Sequence, residues 1–319
     1  MKTLSKMKTK LIAPLLLLFL VSCAPYKNIP KISSMSDLKY DYQVKFANLS
    51  DNIKLAYIDE GKGSETIIMI HGLGSYLPAW KKNIGELSKY YRVIAVDLPG
   101  YGKSSKAPHS GKMSFYAGII AELIQKLGLG PVNLAGHSMG GQISMVLALE
   151  KPELVKRLIL VDPAGFEYFH AGQKNWFKEV MTPNLVRLTP VDAIETNLAS
   201  NFFRMPDDAR FMIEDRIAMR DATDFEAYCL AVTRSVYGMV DEPVLDKLSA
   251  IKMPTLIFFG ENDMLIPNRY LNPGFTVKIA EAGAKLIEGS KLVMVPKCGH
   301  FMMFEKSDVF NTETRNFIK

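Results

Sequence analysis

The 319-residue sequence predicts an α/β domain: a doubly wound, mostly parallel sheet interrupted by a helical cap. Three observations lead to that fold class. Short runs rich in Val and Ile alternate with helix-length segments, which implies right-handed crossovers and a sheet covered on both faces. Several of those runs are apolar throughout, as strands buried on two sides must be. One long interval, from Phe166 to about Ile251, drops the strands and keeps only helical patterns.

Taken in chain order, the first element is a leader. Lys2, Lys6, Lys8 and Lys10 precede an apolar run from Leu11 to Val21, broken only by Pro14 and closed by small residues. This is the three-part pattern of a secretory signal, spanning 1–22. The run falls short of the roughly 20 apolar residues that a stable membrane span needs. Leu20-Val21-Ser22-Cys23 resembles the lipobox of bacterial lipoproteins, which implies diacylation of Cys23 and a cell-envelope protein held to a membrane by lipid. The formal charge of +6 loses four lysines with the leader, and 6 minus 4 leaves only +2 for the remainder. A basic face for nucleic acid is therefore not expected. Residues 23–40 are polar and rich in Ser, Lys and Pro, and read as a tether.

The core is expected over 41–165 and 252–319. Its candidate strands are Ile53 to Ile58, Thr66 to Ile70, Arg92 to Val96, Val132 to Ala135, Leu158 to Val161, Thr255 to Phe259 and Leu292 to Val295. Met113 to Leu127, Met139 to Leu149 and Ser307 to Ile318 are candidate helices. In the cap, 166–251, the Thr223 and Glu226 spacing predicts a capping box, after which Phe225, Cys229, Val232 and Val236 share one helical face. Pro206-Asp207-Asp208 suits a helix start. Cys229 and Cys298 lie in different segments without a framework spacing, and no bridge is expected between them.

The chemistry concentrates at Gly136-His137-Ser138-Met139-Gly140. It follows an apolar strand and precedes a helical run, the setting in which a serine hydroxyl is projected from a sharp strand-to-helix turn. A serine hydroxyl is a weak nucleophile and needs a base. Of five histidines, His137 abuts the serine, His71 belongs to a separate glycine motif, His109 lies in a polar loop and His170 in the cap. His300 remains, just after the last candidate strand, where α/β sheets place reacting groups.

Five segments in order, His71-Gly72-Leu73-Gly74, Asp97-Leu98-Pro99-Gly100-Tyr101-Gly102-Lys103-Ser104, Gly136 to Gly141, Gly260-Glu261-Asn262-Asp263 and Gly299-His300, resemble the α/β-hydrolase superfamily. The likeness is to its capped serine esterase and lipase-like branch, and it covers Ile53 to the C-terminus. It implies the order serine, acid, histidine. Asp263 is then the expected acid, with Asp162, before Pro163, as its competitor. The resemblance also implies an oxyanion site made by the amides of Leu73 and Met139. The stretch from Pro267 to Gly289 between acid and base is longer than usual for the family.

Other chemistries find little support. Gly100-Tyr101-Gly102-Lys103-Ser104 resembles the end of a phosphate loop, but Asp97 holds the position where that motif needs glycine. Paired-cysteine and His-x-x-x-His spacings are missing, so neither a metal nor a cofactor is implied. Relatives that use an aspartate nucleophile are excluded by Ser138. The expected activity is carboxylic-ester hydrolysis on a small-molecule acyl or lipid-like ester. The same triad would also serve carbon–carbon hydrolysis, aminopeptidase action or acyl transfer, and a non-catalytic binding lipoprotein is the remaining alternative. Phe166, Tyr168, Phe169, Trp176, Phe177, Phe202, Phe203, Met205, Phe211 and Met212 supply the cap with apolar surface, either for an acyl pocket or for packing its own helices.

Overall fold

The Val- and Ile-rich runs form strands because β-branched side chains suit a pleated surface packed on both sides. In the computed structural model, which describes residue 26 and residues 28–319, they build one eight-stranded sheet. The strands are β1 (Lys45–Asn48), β2 (Lys54–Glu60), β3 (Thr66–Ile70), β4 (Arg92–Val96), β5 (Val132–His137), β6 (Val155–Val161), β7 (Thr255–Gly260) and β8 (Lys291–Val295), in the order β1-β2-β4-β3-β5-β6-β7-β8. β2 is antiparallel to both its neighbours and every other pairing is parallel. β1, which the hydrophobic pattern does not mark, is a four-residue edge strand that buries only Ala47. The predicted signal segment 1–22 and Cys23 lie outside the described residues. Among the described residues no helix is long and apolar enough to cross a membrane.

Alternation along β3 shows why the sheet is wound on both faces. Ile68 and Ile70 join one core with helices α2 (Met113–Lys126), α3 (Met139–Glu150) and α9 (Thr276–Leu286), whereas Ile67 and Met69 join the other. That second core takes α1 (Lys81–Leu87), α10 (Met302–Glu305) and α11 (Ser307–Ile318). A period of two in the strand thus feeds two separate hydrophobic layers. The chain runs from β3 to β4 on one side, then returns to place β5 on the other side of β3. This reversal opens a crevice at the carboxyl ends of β3 and β5, the place where open α/β sheets bind ligands.

Between β6 and β7 stand α4 (Ala171–Val180), α5 (Pro183–Leu188), α6 (Val191–Ala199), α7 (Phe211–Ala218) and α8 (Phe225–Asp241). α8 is their spine, burying Phe225, Cys229, Val232 and Val236 as a helical stripe. The capping box expected at its start does not form. Asp224 is the N-cap residue, and its carboxylate is taken by the Met35 amide at 2.9 Å and the Ser34 hydroxyl at 3.1 Å, while the Thr223 hydroxyl donates to Ser33 O. Pro206 precedes a short 3-10 turn, Asp207–Ala209, before α7 begins.

The same contacts correct the expectation of a tether over 23–40. Its described part packs against the folded body: Met35 and Leu38 are buried, and a 3-10 turn at Met35–Asp37 is closed by a Ser34 and Asp37 capping box. Tyr26 donates to Glu195 at 2.8 Å. The polar composition that suggested a linker consists largely of capping serines around two apolar anchors. The long stretch after β7 is a loop followed by α9, the crossover helix that a parallel β7 and β8 require. Cys229 and Cys298 are free and buried, and burial pushes the Cys229 thiol up to about 11.

Candidate active site

β5 ends at His137 and α3 begins at Met139, so Ser138 alone makes the turn between them. Its φ of 52° and ψ of −118° lie outside the regions a non-glycine residue prefers, a strain of about 1–3 kcal/mol. The surroundings hold it there. The Ser138 amide donates to Val161 O at 2.9 Å, and its carbonyl accepts the amides of Gly141, Gln142 and Ala164. The turn is so tight that a Cβ on Gly136 would stand 2.3 Å from Gly140 O, and one on Gly140 would stand 2.3 Å from Ile70 O. Both obstacles are backbone, so neither can swing aside. Gly140→Ala is expected to destabilise the protein by about 1–3 kcal/mol, read as a lower urea midpoint.

His300 follows β8 on the loop that the last strand presents to the crevice. Its Nδ1–H donates to Asp263 Oδ2 at 2.8 Å, and both side chains are buried. Asp263 Oδ1 accepts the amides of Leu265 at 2.7 Å and Ile266 at 3.2 Å, so the carboxylate is fixed from both ends. With hydrogen on Nδ1, His300 keeps a lone pair on Nε2, and it lines the same cavity as Ser138. No hydrogen bond is made by Ser138 Oγ among the described residues. Loose geometry of that kind is usual for a nucleophile and base before substrate closes the site.

Asp162 lies beside this pair in a different role. Its Oδ1 accepts the Gly260 amide at 2.8 Å and braces the end of β7. Burial first, and then the charge of Asp263, hold its carboxyl well above the usual carboxylate range. One donor atom each from Asp162, Asp263 and His300 fall within 4.8 Å of one another, the spacing a cation would need. The His300 Nδ1 of that group already donates to Asp263, which suits a hydrogen-bonded relay.

The remaining histidines are occupied in the fold. His71 Nδ1–H donates to Gly72 O at 2.8 Å while Nε2 accepts the Leu98 amide at 3.0 Å, which fixes the neutral tautomer and ties the loop after β3 to that after β4. His137 Nε2–H donates to His300 O at 2.9 Å, which steadies the loop of the candidate base. His109 stacks on Phe115, and His170 caps α4. Burial lowers His71 to about 4. The unfolded chain therefore binds a proton near pH 6.5 that the native state refuses until about pH 4. Stability from neutral His71 is complete above pH 6.5 and declines as pH falls through that window, by up to about 3 kcal/mol. Urea denaturation from pH 7.5 to 4.5 should show a shallower loss in His71→Gln than in the natural protein.

Leu73 lines the cavity, and Met139 follows Ser138 directly. The Met139 amide is the first of α3 and has no acceptor within the helix. In the loop after β3 the carbonyls are engaged: Gly72 O accepts from His71 and the Ser75 amide, and Gly74 O accepts from Tyr228 at 3.1 Å and from Arg216. The Leu73 amide likewise finds no acceptor among the described residues.

Several residues that shape the site escape the sequence pattern. Asp97, wholly buried, accepts the Tyr40 hydroxyl at 2.6 Å and the amides of Leu77 and Lys103 at 2.7 and 2.8 Å. Glu305 accepts the Gly299 amide at 2.8 Å and those of Phe203 and Arg204 in the cap. Arg216 and Tyr228 reach Gly74 in the loop after β3 across more than 140 residues of sequence. Asp97 stands in a visible motif, but nothing local marks the other three.

Cap and core enclose a cavity of about 640 Å³, with Ser138 and His300 on its wall and mainly apolar lining. Of the cap residues singled out above, Phe169, Phe177 and Met212 face it. Phe166 packs against Phe259 and Phe202 against Phe301, while Tyr168, Trp176 and Phe203 are exposed.

A switch-point crevice with these side chains defines the class: this is an enzyme of the hydrolase type. The chain belongs to the alpha/beta hydrolase fold family, whose sequence pattern matches residues 65–307. It is 28% identical over 291 residues to 2-hydroxy-6-oxononadienedioate/2-hydroxy-6-oxononatrienedioate hydrolase of Escherichia coli strain K12, covering 86% of this chain and 95% of that one. A probable hydrolytic enzyme of Pseudomonas aeruginosa PAO1 superposes with a TM-score of 0.80 at 23% identity, over 91% of this chain and 99% of the other. An esterase of Exiguobacterium antarcticum superposes with a TM-score of 0.73 at 24% identity, over 86% and 99%. These two likenesses establish the fold.

Proposed function

We propose that the protein hydrolyses carboxylic esters with an apolar acyl chain through Ser138, His300 and Asp263. The observation that carries this reading is one apolar cavity of about 640 Å³ onto which Ser138 and the Asp263-bound His300 both open. His300 Nε2 takes the proton of Ser138 as its oxygen attacks the ester carbonyl. The amides of Leu73 and Met139 hold the resulting oxyanion, and Asp263 keeps Nδ1 protonated and steadies the imidazolium. His300 then protonates the leaving alcohol, and water, activated by the same nitrogen, releases the acid. No cofactor enters this sequence. A fluorophosphonate probe should label Ser138 in the folded protein, and nitrophenyl esters of increasing chain length should be cleaved with rising kcat/KM. Absence of labelling would sink the enzyme mechanism.

Carbon–carbon hydrolysis is the second reading, favoured by the 28% identity to the Escherichia coli hydrolase. That relative is named for a dicarboxylate. Among the described cavity-lining residues Arg216 is the one Lys or Arg, which suits two carboxylates poorly and an acyl chain well. A dienedioate assayed beside the esters separates the two.

The leader pattern supports a third part of the proposal: export, acylation of Cys23 and retention at the cell envelope. Cys23→Ser is expected to move the protein from the membrane to the soluble fraction. Continued membrane partition of that variant would refute the anchor.

A further inference from the structure

We propose that the cap face around the cavity mouth docks onto an anionic lipid bilayer, so that apolar esters reach Ser138 directly from the membrane. Leu185 and Leu265 are 50% and 42% exposed, yet both line the cavity, so its wall reaches the surface at each of them. Leu188 and Trp176, on the same helices as the cavity-lining Leu185 and Phe177, and Tyr270 and Phe275, in the loop that carries Leu265, are exposed too, the last two 82% and 77%. Single exposed apolar residues are ordinary, but several on the segments that also line a cavity mark an interaction surface. The segments that carry it are joined: Asn272 Nδ2 donates to Tyr168 O at 3.0 Å and Gln173 Nε2 to Leu271 O at 2.7 Å.

Charge identifies the occupant. Residues 168–176, 185–188 and 264–275 contain Lys174, Arg187 and Arg269 and no Asp or Glu, although the cap over 166–251 holds fourteen acidic residues against nine Lys and Arg. None of the three cations is in a salt bridge among the described residues. Aromatic and aliphatic side chains interspersed with unpaired cations match the interface of an anionic bilayer.

The position of the N-terminal segment agrees. Tyr26 packs with Ile194 of α6 and Ile213 of α7, and Ile194 lines the cavity. Only residues 189 and 190 separate α6 from α5, which carries Leu185 and Leu188. Cys23 is three residues upstream of Tyr26, a reach of at most about 10 Å. A lipid on Cys23 would therefore hold this corner of the cap against the membrane. The docking stands on the surface itself, whereas delivery of bilayer esters to Ser138 rests on the ester-hydrolase reading.

The two tryptophans provide the test, since Trp80 is fully buried and Trp176 is exposed on the proposed surface. The full chain is bound to vesicles of phosphatidylethanolamine and phosphatidylglycerol with brominated acyl chains. Quenching of tryptophan emission, lost in Trp176→Phe, is the expected result. Vesicle-bound protein without quenching, or quenching that persists in Trp176→Phe, overturns the proposal. In a second arm, Tyr270→Ser with Phe275→Ser should lower hydrolysis of a vesicle-embedded ester about tenfold, with the rate on a soluble short-chain ester unchanged. An equal fall on both substrates also overturns docking. Failure of the natural protein on the soluble ester would refute the ester reading and leave the quenching result to decide docking.

Discussion

Ser138→Ala is expected to lower kcat for ester hydrolysis by about 10⁴-fold or more, with the urea midpoint nearly unchanged. The hydroxyl makes no hydrogen bond among the described residues, so its removal leaves no buried partner unsatisfied. Everything that fixes the turn, from the Val161 carbonyl to the three amides on Ser138 O, is backbone and survives the change. Loss of rate with retained stability would place the oxygen in the chemistry. A residual rate within tenfold of the natural protein would show that another nucleophile operates.

Asp263→Asn should lower kcat by a comparable factor, about 10⁴, while Asp162→Asn should cost less than tenfold. The contrast follows from what each carboxyl touches. In the first variant the new amide oxygen keeps the Leu265 and Ile266 amides and its NH₂ turns toward His300 Nδ1. That forces the hydrogen to Nε2 and removes the lone pair that Ser138 needs. Burial already disfavours the charged form of Asp162, and an asparagine there still accepts the Gly260 amide through Oδ1. Rates of both variants on one soluble ester decide the matter. A severe loss in Asp162→Asn alone would transfer the orienting role to it.

The parts of the fold legible in sequence were those with a local cause. β3 and β4 announce themselves because a strand packed on both faces must be apolar along its buried length, and α3 because the glycines of the elbow lead into a helical run. β1 does not, since an edge strand that buries one alanine has no pattern to show. At the site, Ser138 and His300 could be found from their place after strands, and Asp263 from the family's order. Arg216, Tyr228 and Glu305 could not, because each acts on a backbone group far away in sequence and any polar side chain of the cap or C-terminal region looks alike before folding. The packed segment before β1 was misread for a related reason: composition reports that serines are polar and not that they cap a turn around Met35.

The bonds from Arg216 and Tyr228 to Gly74, and from Glu305 to both Gly299 and the amides of Phe203 and Arg204, bear on how such proteins diversify. A cap inserted into an α/β core resembles an exchangeable module, replaced at two junctions to alter what the enzyme accepts. Here the module also supplies donors to one reacting loop and shares an acidic anchor with the other. Grafting a relative's cap onto this core would therefore change turnover together with selectivity, unless the graft brought equivalent donors for Gly74 and equivalent amides for Glu305.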